Sequence, residues 1–278
     1  MKRYVLREPI EIHGFDFWGR RVSVRLEPTG KPGWFWRVDG IDMPVDKRLV
    51  ANKRNRITLV FGRRRLHVFE HLGALRFSGL DGIRIVTSDS WLPYDGCADM
   101  YWKACSPHME QAGELTPYAV RSPSSVAMFE PFQRSVTLSP MPAYCLSVAI
   151  HIDYPGIGPH GESFSFPGTR FAAVARVKTQ GYPASRIHLA ELLSLFGWPH
   201  RDNVIWPSEH DSRLVKRLFA RHRALDVLGA LSVLCPPGGI LVGTYASWCA
   251  GHGQDVELVR KTEVYKVAPG PMHINILA

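Results

Sequence analysis

His222 and Asp226 stand four residues apart in the segment SRLVKRLFARHRALDVLGALSVL, which has the clearest helical pattern in the chain. On a helix that spacing puts both side chains on one face, one turn apart, where they can bind a single metal ion. The same spacing also suits an ordinary histidine–carboxylate pair on a solvated surface. Leu214, Leu218, Leu225 and Gly229 flank the pair, so the helix is expected to turn it inward, where a charge needs a partner or a metal. Glu70 and His71 form a second element at the start of another helical stretch. Neighbouring helix residues project about 100° apart, so one can bind a metal while the other reaches the metal's open position. Taken alone, the dipeptide says little. His252, in AGHG, is a third candidate: the flanking glycines permit close approach of backbone or substrate, and an ordinary loop histidine is the competing reading.

The elements that must position these groups can be read from periodicity. Val22, Val24 and Leu26 alternate with polar residues until Pro28 and Gly30 break the run, and 56–61 alternates again. From Glu70 the spacing becomes helical through Leu72, Leu75 and Leu80, Gly82 ends it, and GIRIVTSD returns to strand. Residues 107–125 are polar and rich in turn formers, which predicts a boundary between a domain of residues 1–113 and one of residues 114–278. The first would carry Glu70 and His71, the second His222, Asp226 and His252. In the second, Leu146, Val148, Ile150 and Ile152 alternate, residues 186–197 form a short apolar helix, residues 212–234 a long one closed by CPPGG, GILVGTYAS a strand, and DVELVRKTEVY an amphipathic segment. Strands and helices mix without βαβ alternation, which predicts an α+β fold in two domains.

Bulk properties narrow the function. A chain of 278 residues can build two real cores, and 45% apolar with 21% charged residues is a soluble globular balance. No run approaches the roughly 18 to 20 apolar residues of a membrane span, and the N-terminus lacks the apolar stretch of a signal peptide, so a cytoplasmic protein is expected. Five scattered cysteines without CxxC spacing argue against a disulfide framework and a thiolate zinc site. The net charge of +9 would suit nucleic acid, an anionic membrane surface or a phosphorylated small molecule. It is spread along the chain without a basic tail, so no dedicated nucleic-acid role is expected.

Jointly, FEHLGAL at 69–75, RHRALDVLGAL at 221–231 and GH at 251–252 resemble the UDP-3-O-acyl-N-acetylglucosamine deacetylases, the LpxC family, in order and approximate separation. LPYDG at 92–96, DYPGIG at 153–158, KTQGY at 178–182 and the early GFDFWGRRVSVRL extend the likeness over nearly the whole chain. The resemblance implies two domains of similar α+β topology, each a sheet with helices, the helices sandwiched between the two sheets. It implies catalytic zinc on His71, His222 and Asp226, although two imidazoles and a carboxylate suit ferrous iron as well. It makes Glu70 the general base, His252 a protonated group that stabilises the oxyanion and assists departure of the amine, Thr179 a donor to that oxyanion, and Arg223 a substrate-binding residue. The 186–197 helix falls where the family lines a passage for an acyl chain, and its leucines are equally explained as core. The partner implied is an acylated amino sugar, nucleotide-linked in the family, acted on by a monomer that can touch a membrane surface.

The sequence also departs from the pattern. Ala230 occupies the place of an aspartate that orients the catalytic histidine, and Asp255 is near enough in sequence to substitute for it. Arg223 and Cys249 replace lysines, Gln180 an aromatic residue, Tyr154 a histidine, and Ile152 stands near an expected uracil-stacking aromatic. The changes cluster on substrate recognition and around the catalytic histidine, while ligands and base are intact. The expectation is a zinc-dependent deacetylase of an acylated, UDP-linked amino sugar. The alternatives are a paralogue that keeps the metal but serves as a binding or regulatory protein, and a deacetylase of an amino sugar outside lipid A synthesis.

Overall fold

A computed structural model of the chain describes residues 1–53, 56–128, 133–141, 144–154, 157–166, 169–180, 192, 204–205 and 212–267. Strands and short helices alternate irregularly, giving the α+β architecture expected. In the first half, β1 (Lys2–Leu6) is followed by β2 (Ile10–Phe15), β3 (Arg21–Pro28), β4 (Trp34–Val38) and β5 (Ile41–Pro44). Next come β6 (Val50–Asn52), β7 (Ile57–Phe61), β8 (Arg64–His67), α1 (Phe69–Gly73), a 3-10 turn at Ala74–Ser78, β9 (Ile83–Val86) and α2 (Asp99–Cys105). One sheet runs β2-β3-β9-β4-β5 and a smaller one β6-β7-β8. The alternation read at Val22, Val24 and Leu26 is the buried face of β3.

The segment at 107–125 is stranded rather than a run of turns. β10 (Met109–Glu114) pairs antiparallel with β1, while β11 (Thr116–Val120) joins the second sheet. β10 is exposed along nearly its whole length, so it carries no apolar alternation, and backbone pairing alone makes it a strand.

The second half contains β12 (Ser124–Met128), β13 (Arg134–Ser139), β14 (Leu146–Tyr154), β15 (Gly158–Phe166) and α3 (Phe171–Ala175). A short parallel pair, β16 (Thr179–Gln180) with β17 (Val204–Ile205), precedes α4 (Ser212–Leu231), β18 (Gly239–Trp248), α5 (His252–Lys261) and β19 (Val264–Lys266). β18 is the spine of the second sheet: its start pairs with β11, and its later residues lie between β13 and β14. Leu146, Val148, Ile150 and Ile152 form the buried face of β14, as their alternation requires, and α4 packs on β14 and β15. The apolar helix expected at 186–197 lies, apart from Leu192, outside the described residues.

α4 runs between the halves. Its other side meets α1 and the 3-10 turn of the first half, so one apolar core joins both. From His222 to Leu231 every residue is buried, which is why ALDVLGAL lacks a polar stripe. Leu214 does not mark the inward face as expected. It is 45% exposed, because the first turn of α4 (Ser212, Arg213, Leu214) is open to solvent. Cys97, Cys105 and Cys235 are buried, and all five cysteines are unpaired. No helix among the described residues is long and apolar enough to cross a membrane.

Candidate metal centre

His71 on α1 and His222 and Asp226 on α4 meet between the halves of the chain. Their ligand atoms all lie within 4.8 Å of one another, and the three side chains are buried. Asp226 Oδ1 is 4.0 Å from His71 Nε2 and 3.4 Å from His222 Nε2. The first separation is too long for a hydrogen bond, and this buried oxygen has no hydrogen-bond partner. An orphaned carboxylate oxygen facing two imidazole nitrogens is the donor set of a tetrahedral divalent site, in which each ligand would stand about 2.0–2.2 Å from the ion. The residues fit such an ion.

The tautomer of His222 agrees. His222 Nδ1 lies 2.9 Å from the carbonyl of Val177, which can only accept, so the proton sits on Nδ1 and Nε2 keeps its lone pair. Burial, chiefly, holds the His71 imidazole down to about 3, so it stays neutral and able to ligate at physiological pH. Burial by itself would raise the Asp226 carboxyl. The imidazoles of His222, His252 and His71 and the guanidinium of Arg223 outweigh it and leave Asp226 below its ordinary value, an anion.

Two close approaches place Glu70. The chain turns left-handed at buried Val68 (φ 64°), a conformation costly for a β-branched residue, and α1 starts directly after it. Gly229 of α4 then lies against the Glu70 backbone so tightly that a Cβ there would overlap the Glu70 carbonyl and Cα. The carboxylate accepts the Ile57 N–H at 3.0 Å. Burial, followed by the charge of Asp226, raises the Glu70 carboxyl to about 8, against the opposing pull of Arg56 and the Ile57 N–H.

His252 opens α5 rather than lying in a loop, and its Nε2 is 3.8 Å from Asp226 Oδ2. Burial lowers this imidazole below its ordinary value, with Arg223 adding to the effect and Asp226 and Asp255 opposing it. Thr179 hydrogen-bonds the hydroxyl of Tyr94, whose ring stacks on His71 at 5.6 Å and 14°. Glu70, His71, His222, Asp226 and His252 therefore gather around one point, and Thr179 is linked to it through Tyr94. Arg223 is buried, with its guanidinium on Asp255 at 2.6 Å and on Tyr245 at 3.2 Å. Asp255, considered as a substitute partner for His252, is held by Arg223 and Tyr245 instead.

Tyr94, Val177, Ile57 and Gly229 complete the site beyond the residues that the sequence motifs mark. Tyr94 has a signal in LPYDG and Gly229 in being a glycine inside a helix, whereas Val177 and Ile57 act through backbone groups, which residue type does not report.

Comparison with known proteins finds likeness over nearly the whole sequence. The family profile described as UDP-3-O-acyl N-acetylglycosamine deacetylase (LpxC) matches residues 3–263. A UDP-3-O-acyl-N-acetylglucosamine deacetylase of Nautilia profundicola is 26% identical, over 91% of this chain and 88% of its own length. Enzymes of the same name from Sulfurovum sp. and Wolinella succinogenes are each 24% identical, over 94% and 96% of this chain and 91% and 93% of theirs.

Proposed function

This chain belongs to the LpxC family of UDP-3-O-acyl N-acetylglycosamine deacetylases, and from that membership we propose that it is a zinc-dependent hydrolase of the N-acetyl amide of a UDP-linked, acylated glucosamine. The observation that carries the reading is the meeting of His71 with His222 and Asp226 beside Glu70, from opposite halves of the chain. His71, His222 and Asp226 would hold the ion. A bound divalent cation supplies Lewis-acid chemistry, lowering the pKa of water and polarising an amide carbonyl.

The chain's own groups do the rest. Glu70 takes a proton from the attacking water while the water oxygen bonds to the acetyl carbon. A carboxylate is the right group for that transfer, since it can take the water proton and pass it on. The C–N bond then breaks as the departing amine takes up the proton that Glu70 received, passed on directly or relayed through His252, leaving acetate and the free amino sugar. Thr179, hydrogen-bonded to Tyr94 beside His71, would donate its hydroxyl to the carbonyl oxygen as that oxygen gains charge.

Purified protein is expected to hold about one zinc per chain by elemental analysis, with anaerobic purification deciding against ferrous iron. Glu70→Ala should retain that metal and lose about 10²- to 10⁴-fold in acetate release. Absence of acetate from every N-acetyl amino sugar offered to the wild type would end the hydrolase reading.

A further inference from the structure

Arg223 follows the ligand His222 on α4, but its charge is used inside the protein. Nη2 stands 2.6 Å from Asp255 Oδ1, and Nη1 stands 2.6 Å from Asp255 Oδ2. The Tyr245 hydroxyl donates to Asp255 Oδ1 at 2.7 Å and accepts from Arg223 at 3.2 Å. The three residues come from α4, α5 and β18, and all are buried. The first contact is a charge-assisted hydrogen bond and the second an ion pair without hydrogen-bond geometry, and together they hold the carboxylate against the guanidinium. The knot therefore joins the first turn of α5 to the middle of α4 and to the sheet.

Asp255 lies three residues after His252, so the two side chains share one side of α5 within a single turn. No metal-ligand candidate resides on α5; all three come from α1 and α4. His252 itself is weakly held. Its buried Nδ1 has no hydrogen-bond partner, and its Nε2 stands 3.8 Å from Asp226, beyond hydrogen-bond reach. Position 230 of α4, where a carboxylate was expected to orient this ring, is a buried alanine. What places the imidazole is the helix that carries it.

We infer that Asp255 is a positioning residue, with Arg223 as its charge partner: the clamp pins the first turn of α5 to α4 and thereby sets His252 against the metal-ligand cluster. The inference assigns to Arg223 an internal task in place of substrate binding. Its kinetic part rests on the deacetylase reading.

The test uses the full-length, zinc-loaded protein with Asp255→Asn and with the double variant Arg223→Met, Asp255→Leu. The double variant removes both charges together, so no lone buried charge remains to unfold the chain. In both, the metal should remain at about one per chain and KM should stay within about threefold. The expected fall in kcat is about 10- to 100-fold, the cost of displacing a catalytic group by about 1 Å. Since Asp255 acts through His252, adding Asp255→Asn to His252→Ala should lower kcat no further. A crystal structure of Asp255→Asn should show the His252 ring displaced from Asp226 while His71 and His222 stay in place. The clamp is refuted by kcat within twofold of wild type, by loss of metal in step with loss of activity, or by losses that multiply with those of His252→Ala. If the wild type releases no acetate, the deacetylase reading falls, and the ring position in the Asp255→Asn crystal still decides the clamp.

Discussion

On the α1 side of the site, Glu70 and His71 are placed by shape. Gly229 lets α4 touch the backbone of Glu70, Val68 takes a strained turn, and one N–H from Ile57 receives the carboxylate. On the α5 side, His252 is placed by charge, through a buried arginine–aspartate–tyrosine knot one turn away. Shape fixes a group steeply and tolerates no added atom. A buried ion pair fixes direction and can be lost as a pair with less damage than one partner alone. The two sides should therefore fail differently.

The largest effect is expected at Gly229. A methyl group there must push α1 away, so Gly229→Ala should destabilise the fold by about 1–3 kcal/mol or more in urea unfolding. It should also lower metal content, and cut acetate release by about 100-fold. Normal zinc content in this variant would show that α1 is not held by that contact. Asp255→Asn, in contrast, should spare the metal.

A smaller effect should appear in the pH dependence of the metal-free protein. Below the ordinary value of 4.5, Glu70 is protonated in both folded and unfolded chains and contributes nothing. Between 4.5 and about 8 the unfolded chain has released the proton that the fold retains, so stability falls as pH rises and the loss is complete above about 8. Chelated wild type should lose urea stability relative to chelated Glu70→Gln from pH 5 to pH 8. Parallel curves would show that Glu70 is not desolvated. Smallest of all is the exposed Arg64–Asp39 pair, where Arg64→Ala should leave the unfolding midpoint unchanged within error. A measurable drop there would undercut the contrast between buried and solvated pairs.

Local pattern carried much of the architecture, and for a plain reason. The alternation along β14 and the turn after Glu70 are written in residue type, because each buried face needs apolar side chains at the period of its element. The i, i+4 pair of His222 and Asp226 was likewise legible, since helix geometry alone puts both on one face. β10 was not, because an exposed strand needs only a backbone partner.

By itself, then, the sequence determined which residues have ligand and base chemistry, and on which local elements they ride. Only the tertiary structure decided that His71, 151 residues before His222, would reach it, since that meeting depends on Gly229 admitting the backbone of α1. The same packing decided the direction of Arg223: a cation suited to substrate phosphate became an internal clamp because Asp255 and Tyr245 meet it in a buried layer. Contacts between distant segments are set by three-dimensional fit, and neither residue type nor spacing records it.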